Sequence, residues 1–174
     1  MALESAAASG AQAPLTLDEA FREHGRFVAG VAYRVLGRDS DVDDVVQDVF
    51  LDAMRGLRQL RDAQAIRGWL RVVAIRKCRR RLSVRRLKGV LGFDDAPSYA
   101  EVASPDASPE QRALLTRVYA ALDRIPAEER VAWIVRHIEE EKLEDVARLC
   151  GCSLATAKRR IAAAEARLRE MFSQ

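Results

Sequence analysis

The chain has 174 residues, 49% of them hydrophobic and 6% aromatic, with 29 basic and 26 acidic side chains for a net charge of +3. That length fits one medium domain or two small ones whose cores need no disulfides, and so small a net charge is not by itself a nucleic-acid signature. Alanine, leucine, arginine and glutamate dominate, while glycine and proline gather in a few places, which points to an all-α protein. The charge is segregated. Asp39 to Asp52 holds six Asp and no Lys or Arg, whereas Arg67 to Lys88 holds ten Lys or Arg and no Asp or Glu, a layout expected of two faces with different partners.

Cys78, Cys150 and Cys152 are an odd set without secretory features, so reduced thiols are expected. The Cys150/Cys152 pair lacks the spacing of structural zinc sites, and neither metal nor cofactor is expected. Ala11-Gln12-Ala13 resembles a signal-peptidase site, but no basic or apolar segment precedes it. No apolar run approaches the ~18 residues of a membrane helix. A cytoplasmic protein with no membrane insertion is the expectation.

Residues 1–14 are small and featureless and read as a mobile tail. Thr16 and Glu19 form a capping box for a helix whose apolar stripe is Phe21, Phe27, Val28, Val31, Val35 and Leu36, stopped by Gly37. Ser40 with Asp43 caps a second helix running to about Gly56. On its wheel Val42, Val45, Val46, Val49 and Phe50 share one arc, and Asp43, Asp44, Gln47 and Asp48 share the other, with Leu51 in the middle of the acids. An apolar centre with a charged rim is how protein interfaces are built. The same acids admit a catalytic alternative: Asp43, Asp44 and Asp48 match, weakly, the aspartate-rich pattern by which isoprenoid-diphosphate enzymes hold magnesium.

After a turn near Leu60 to Gln64, Ile66 to Lys88 reads as a long helix with Ile66, Trp69, Leu70 and Val73 inward. Arg67, Arg71, Arg76, Lys77, Arg79, Arg80 and Arg81 wrap the rest. No acid within the segment supplies partners at helical spacing, so an external polyanion, nucleic-acid phosphate, is expected to neutralise it. Residues 89–108 carry Pro97 and Pro105, several serines and acids and no basic residue, the composition of a flexible linker rather than of a core. The expected organisation is therefore an N-terminal helical domain over 15–88, this linker, and a C-terminal domain over 109–174.

In the second domain Ser108, Pro109 and Gln111 open a helix with Leu114, Leu115, Val118, Leu122 and Ile125 on its buried face. Pro126 opens the next, with Val131, Trp133, Ile134, Val135 and Ile138 apolar. Leu143 to Arg169 then reads as helix, turn and basic helix: Val146, Ala147 and Leu149 inward, Gly151 in the turn, Ser153 as cap, and Ala157 and Ile161 continuing the stripe. That is helix-turn-helix grammar. Ala155, Thr156, Lys158 and Arg159 would lie where such a helix enters a major groove.

In this order the motifs resemble those of bacterial RNA polymerase sigma factors of the sigma-70 family, extracytoplasmic-function (ECF) subfamily. Asp43 to Ala53 looks like the polymerase-docking helix, Gly68-WLRVVA-Ala74 like the start of the promoter-melting helix, and Ile125 to His137 like the approach to the C-terminal domain. Leu143 to Ile161 looks like the helix-turn-helix. The resemblance implies two small helical domains and no enzyme activity. It implies that Asp43, Asp44, Gln47, Asp48 and Leu51 grip the clamp coiled coil of core polymerase. Asp62, Ala63, Gln64, Arg67, Arg71, Arg76, Lys77 and Arg80 would hold the downstream promoter element as single strand, and Ser153, Ala155, Thr156, Lys158, Arg159 and Arg160 the upstream element. An anti-sigma protein is the implied restraining partner. The chain departs from the family pattern at Ile66 and Arg76, at Glu140-Glu141-Lys142 in place of Gly-apolar-Ser, and at Ala162 and Ala163. The alternative function is an autonomous helix-turn-helix regulator that needs no core polymerase.

Overall fold

A computed structural model describes residues 16–37, 41–56, 65–90, 99 and 106–173. Among them are seven helices and no strands: α1 Leu17–Leu36, α2 Val42–Gly56, α3 Ile66–Val90, α4 Pro109–Leu122, α5 Ala127–His137, α6 Leu143–Cys150 and α7 Leu154–Phe172. The expected all-α class and helix order are what the chain adopts. The N-terminal tail, Ser40, the turn at 60–64 and most of the expected linker lie outside the described residues.

Local chemistry sets the helix ends. Thr16 accepts from the Glu19 amide at 3.3 Å while the Glu19 carboxylate accepts from the Thr16 amide at 2.9 Å. Ser108 and Gln111 repeat this reciprocal box at α4. Gly37 ends α1 and Gly151 ends α6, with φ of 73° and 62°, the left-handed region that costs a side chain ~1–2 kcal/mol. The two differ in surroundings. A Cβ on Gly37 would lie 2.2 Å from the Tyr119 ring, whereas one on Gly151 would meet nothing within 4 Å.

α1, α2 and α3 pack together, α5, α6 and α7 pack together, and α3 lies against α5 and α6. One apolar core therefore runs through the molecule, from Val28, Val31, Val49 and Leu70 to Leu122, Ile134, Val135 and Leu149. Three expectations are corrected here. Phe21 and Leu114, read as core, are 50% and 55% exposed. The inner place on α4 is taken by Tyr119, whose hydroxyl donates to the Arg34 carbonyl at 2.7 Å. Tyr99, inside the segment read as coreless linker, is buried, stacks on Tyr119 with centroids 5.8 Å apart and hydrogen-bonds Asp123.

Candidate functional site

The α2 wheel predicts burial correctly. Val42, Val45, Val46, Val49 and Phe50 are buried, and Asp43, Asp44, Gln47, Asp48 and Leu51 are exposed, Leu51 by 49%. Among the described residues Asp43, Gln47 and Asp48 have no side-chain partner, whereas Asp44 accepts from Arg81. An exposed leucine thus stands among four polar side chains, the pattern of an apolar centre with a charged rim. Beside it lies a groove of about 420 Å³ whose lining includes Phe21, Phe50, Leu51 and Met54, with Asp43 and Gln47. Phe21 leans edge-on against Phe50, with ring centroids 5.0 Å apart. Sequence reading missed Phe21 and Met54 as part of this surface, although Met54 stands one turn beyond Leu51.

The α3 expectation needs a larger correction. Five of its basic side chains are neutralised within the chain, by acids far away in sequence. Arg71 pairs with Glu141 and, at 3.7 Å, with Glu139; Lys77 meets Asp52 at 2.8 Å; Arg79 meets Glu128 at 3.3 Å; Arg81 and Arg85 share Asp41. Arg67 lies over the Phe27 ring at 4.4 Å, a cation–π contact on an exposed side chain. Arg76 and Arg80 are exposed and have no ion-pair partner among the described residues. Asp62, Ala63 and Gln64 lie outside the described residues. Trp69 is half-buried against the core, as its apolar neighbours suggest.

In the helix-turn-helix, the Gly151 and Cys152 amides donate back to the carbonyls of α6, and Ser153 accepts from the Thr156 amide at 3.2 Å, so turn and cap fix how α7 leaves α6. Ser153, Ala155, Lys158 and Arg159 are exposed together at the start of α7, and Thr156 is half-buried. Arg160 is turned the other way, against Glu128 at 2.7 Å, where it braces α7 on α5 instead of projecting outward.

A polar junction joins the first three helices to the last four, and no motif announced it. Arg130, 1% exposed, donates to the Val35 and Leu36 carbonyls at 3.1 and 2.8 Å and pairs with Asp123. Arg85 reaches Asp123 at 3.0 Å and the same Leu36 carbonyl at 3.2 Å. Two guanidiniums thus satisfy the bare carbonyl end of α1. Burial lowers the Arg130 pKa to about 10 against the opposing pull of Asp123, which leaves it charged at neutral pH. Burial also pushes the Cys78 and Cys150 thiols up to about 12. Among the described residues no group of three or more His, Cys, Asp or Glu is placed to hold a metal, and no helix is long and apolar enough to cross a membrane.

Comparison with known proteins agrees with this layout. Residues 20–87 match Sigma-70 region 2 and residues 109–168 match Sigma-70, region 4. The chain is 30% identical over 155 residues to the ECF RNA polymerase sigma factor SigM of Mycobacterium tuberculosis, covering 89% of this chain and 76% of that one. It is 28% identical over 171 residues to the RNA polymerase sigma factor NccH of Alcaligenes xylosoxydans, covering 96% and 91%. Two solved structures share the fold. The sigma factor RpoE of Bartonella quintana, in complex with the anti-sigma factor NepR, has a TM-score of 0.64 at 20% identity over 90% of this chain and 96% of that one. CnrH, in complex with the cytosolic domain of CnrY, has a TM-score of 0.56 at 24% identity, covering 90% and 87%. An all-helical chain with a helix-turn-helix and these two matched regions is a sigma-70-type transcription initiation factor. Within that class it belongs to the ECF family of RNA polymerase sigma factors.

Proposed function

We propose that this sigma factor divides its work between two surfaces: α2 docks core RNA polymerase, and α3 and α7 hold promoter DNA. The observation that carries the first part is the exposed set Asp43, Gln47 and Asp48, unpartnered among the described residues, around Leu51 and joined by Asp44. A basic, apolar-centred helical partner such as a clamp coiled coil fits that face by charge and by shape. On α3, Arg76 and Arg80 remain available for single-strand phosphates, with Arg67 beside them; Lys77 and Arg71 join once released from Asp52 and Glu141. Asp62, Ala63 and Gln64 precede α3 and belong to the same strand-holding role. On α7, Ser153, Ala155, Thr156, Lys158 and Arg159 meet duplex DNA, with Arg160 positioning the helix rather than reading it.

The domain division is residues 15–88 and 109–174, with 89–108 between them. The chain performs no chemistry of its own and works in the cytoplasm. Because the structural relative RpoE was solved with an anti-sigma factor, a restraining protein partner belongs to the reading.

Run-off transcription with core polymerase tests it, on the DNA upstream of this chain's own gene, with wild type beside Asp48→Lys. A discrete transcript that needs the wild-type chain and is lost in the variant is the expected result. No transcript together with no capture of core polymerase would overturn the reading in favour of an autonomous regulator.

A further inference from the structure

The turn between α5 and α6 has an unusual backbone. Glu140 has φ of 56° and is the one non-glycine residue with positive φ among those described. A β-carbon there costs energy, and such an outlier persists where the surrounding contacts over-determine it. Those contacts are visible. The Glu139 and Glu141 amides donate to the Ile134 and Val135 carbonyls at 3.0 and 3.2 Å, and Arg136 donates to the Glu141 carbonyl at 2.9 Å. The result is that Glu139, its side chain 3% exposed, is driven onto Arg34 of α1, and Glu141 onto Arg71 of α3.

We propose that this acidic turn is an internal stand-in for nucleic-acid phosphate, which closes the helix-turn-helix half onto α3 and withholds Arg71 from DNA. This rests on the reading of Arg71 as a strand-binding residue and adds its regulation. One guanidinium edge cannot hold Glu141 and a phosphate at once, so DNA must displace the turn. Arg71 also lies over the Phe27 ring at 5.5 Å and reaches Glu139 at 3.7 Å, while 28% of its side chain stays exposed. Nearby Arg79 donates to the Cys150 carbonyl at 2.9 Å, so the end of α6 lies over the same helix. The free chain is therefore a weak DNA binder whose affinity is set by how tightly the turn is seated.

Binding of fluorescein-labelled single-stranded oligo(dT) to the full-length chain tests this, without polymerase and at low salt. The variant E139Q/E141Q should bind about tenfold more tightly than wild type, the scale of a lost charge-assisted contact. Adding Arg71→Gln should cancel that gain. Equal affinity of wild type and E139Q/E141Q, or a gain that survives Arg71→Gln, would overturn the proposal. Should the double variant fail to fold, E141Q alone carries the same comparison, since that side chain is 18% exposed. Failure of the strand-binding reading has a different signature: Arg80→Glu would leave oligo(dT) affinity unchanged in every background.

Discussion

α2 and α3 are the two charged helices of one three-helix unit, and they treat charge in opposite ways. α2 leaves Asp43, Gln47 and Asp48 exposed and, among the described residues, unpartnered. α3 gives Arg71, Lys77, Arg79, Arg81 and Arg85 to acids contributed by α2, by the residue before it and by the second half of the chain. A run of one sign is thus no guide to whether the charge is free. What decides is whether the fold brings the opposite sign to it, and that is a tertiary property. For α2 it brings Arg81 to Asp44 and Lys77 to Asp52, so an acidic face survives at Asp43 and Asp48. For α3 it leaves Arg67, Arg76, Arg80 and Arg86 without an acid among the described residues.

The largest effect that would separate the two helices is on stability. Asp123 compensates Arg130 and Arg85 at the junction, and removing it strands a buried guanidinium. Asp123→Ala should cost about 3–5 kcal/mol in chemical denaturation. A cost below ~1 kcal/mol would mean that the carbonyls of Val35 and Leu36 suffice for Arg130.

High pH should reach the core next. The folded pKa values of Cys78 and Cys150 lie near 12 against an ordinary 9.0, and that of Tyr119 near 12 against 10.0, each raised by burial. Groups raised in this way contribute stability that is fully present below the unfolded values and is lost as pH climbs toward 12. Arg130, lowered to about 10, acts in the opposite direction, but only above that pH. Between pH 9 and 10 the two thiols dominate, and stability should fall by about 2 kcal/mol. Denaturation midpoints that stay level across that unit would show the thiols to be solvated. The smallest effect belongs to α2: Asp43→Asn should change stability by less than about 0.5 kcal/mol, because the exposed carboxylate has no side-chain partner among the described residues.

How much of this was legible beforehand follows from the range of the forces involved. Caps at Thr16, Ser108 and Ser153, the glycine stops and the α2 wheel are local, and each stands where the sequence placed it. Phe21 and Leu114 have the right spacing for a buried stripe, yet periodicity shows which arc is apolar and not how far the neighbouring helix extends over it. Tyr119, Tyr99 and Arg130 owe their burial to packing between the two halves, a relation with no signature in either segment. The acids that quench Arg71 and Arg79 lie at Glu141 and Glu128, about seventy and fifty residues on. Helical spacing cannot find partners at that distance. The pairing of Arg160 was hidden for a related reason: one more basic residue on a basic helix looks unpartnered until the facing Glu128 is known.

The most direct measurement is a parallel one: capture of core polymerase and promoter opening, each read for Asp48→Lys and for Arg76→Glu/Arg80→Glu. Asp48→Lys should lose core binding and, with it, opening. The arginine variant should keep core binding within a few-fold while opening falls by an order of magnitude or more, since two single-strand phosphate contacts become repulsive. Equal losses in both assays for both variants would contradict the division of labour between α2 and α3.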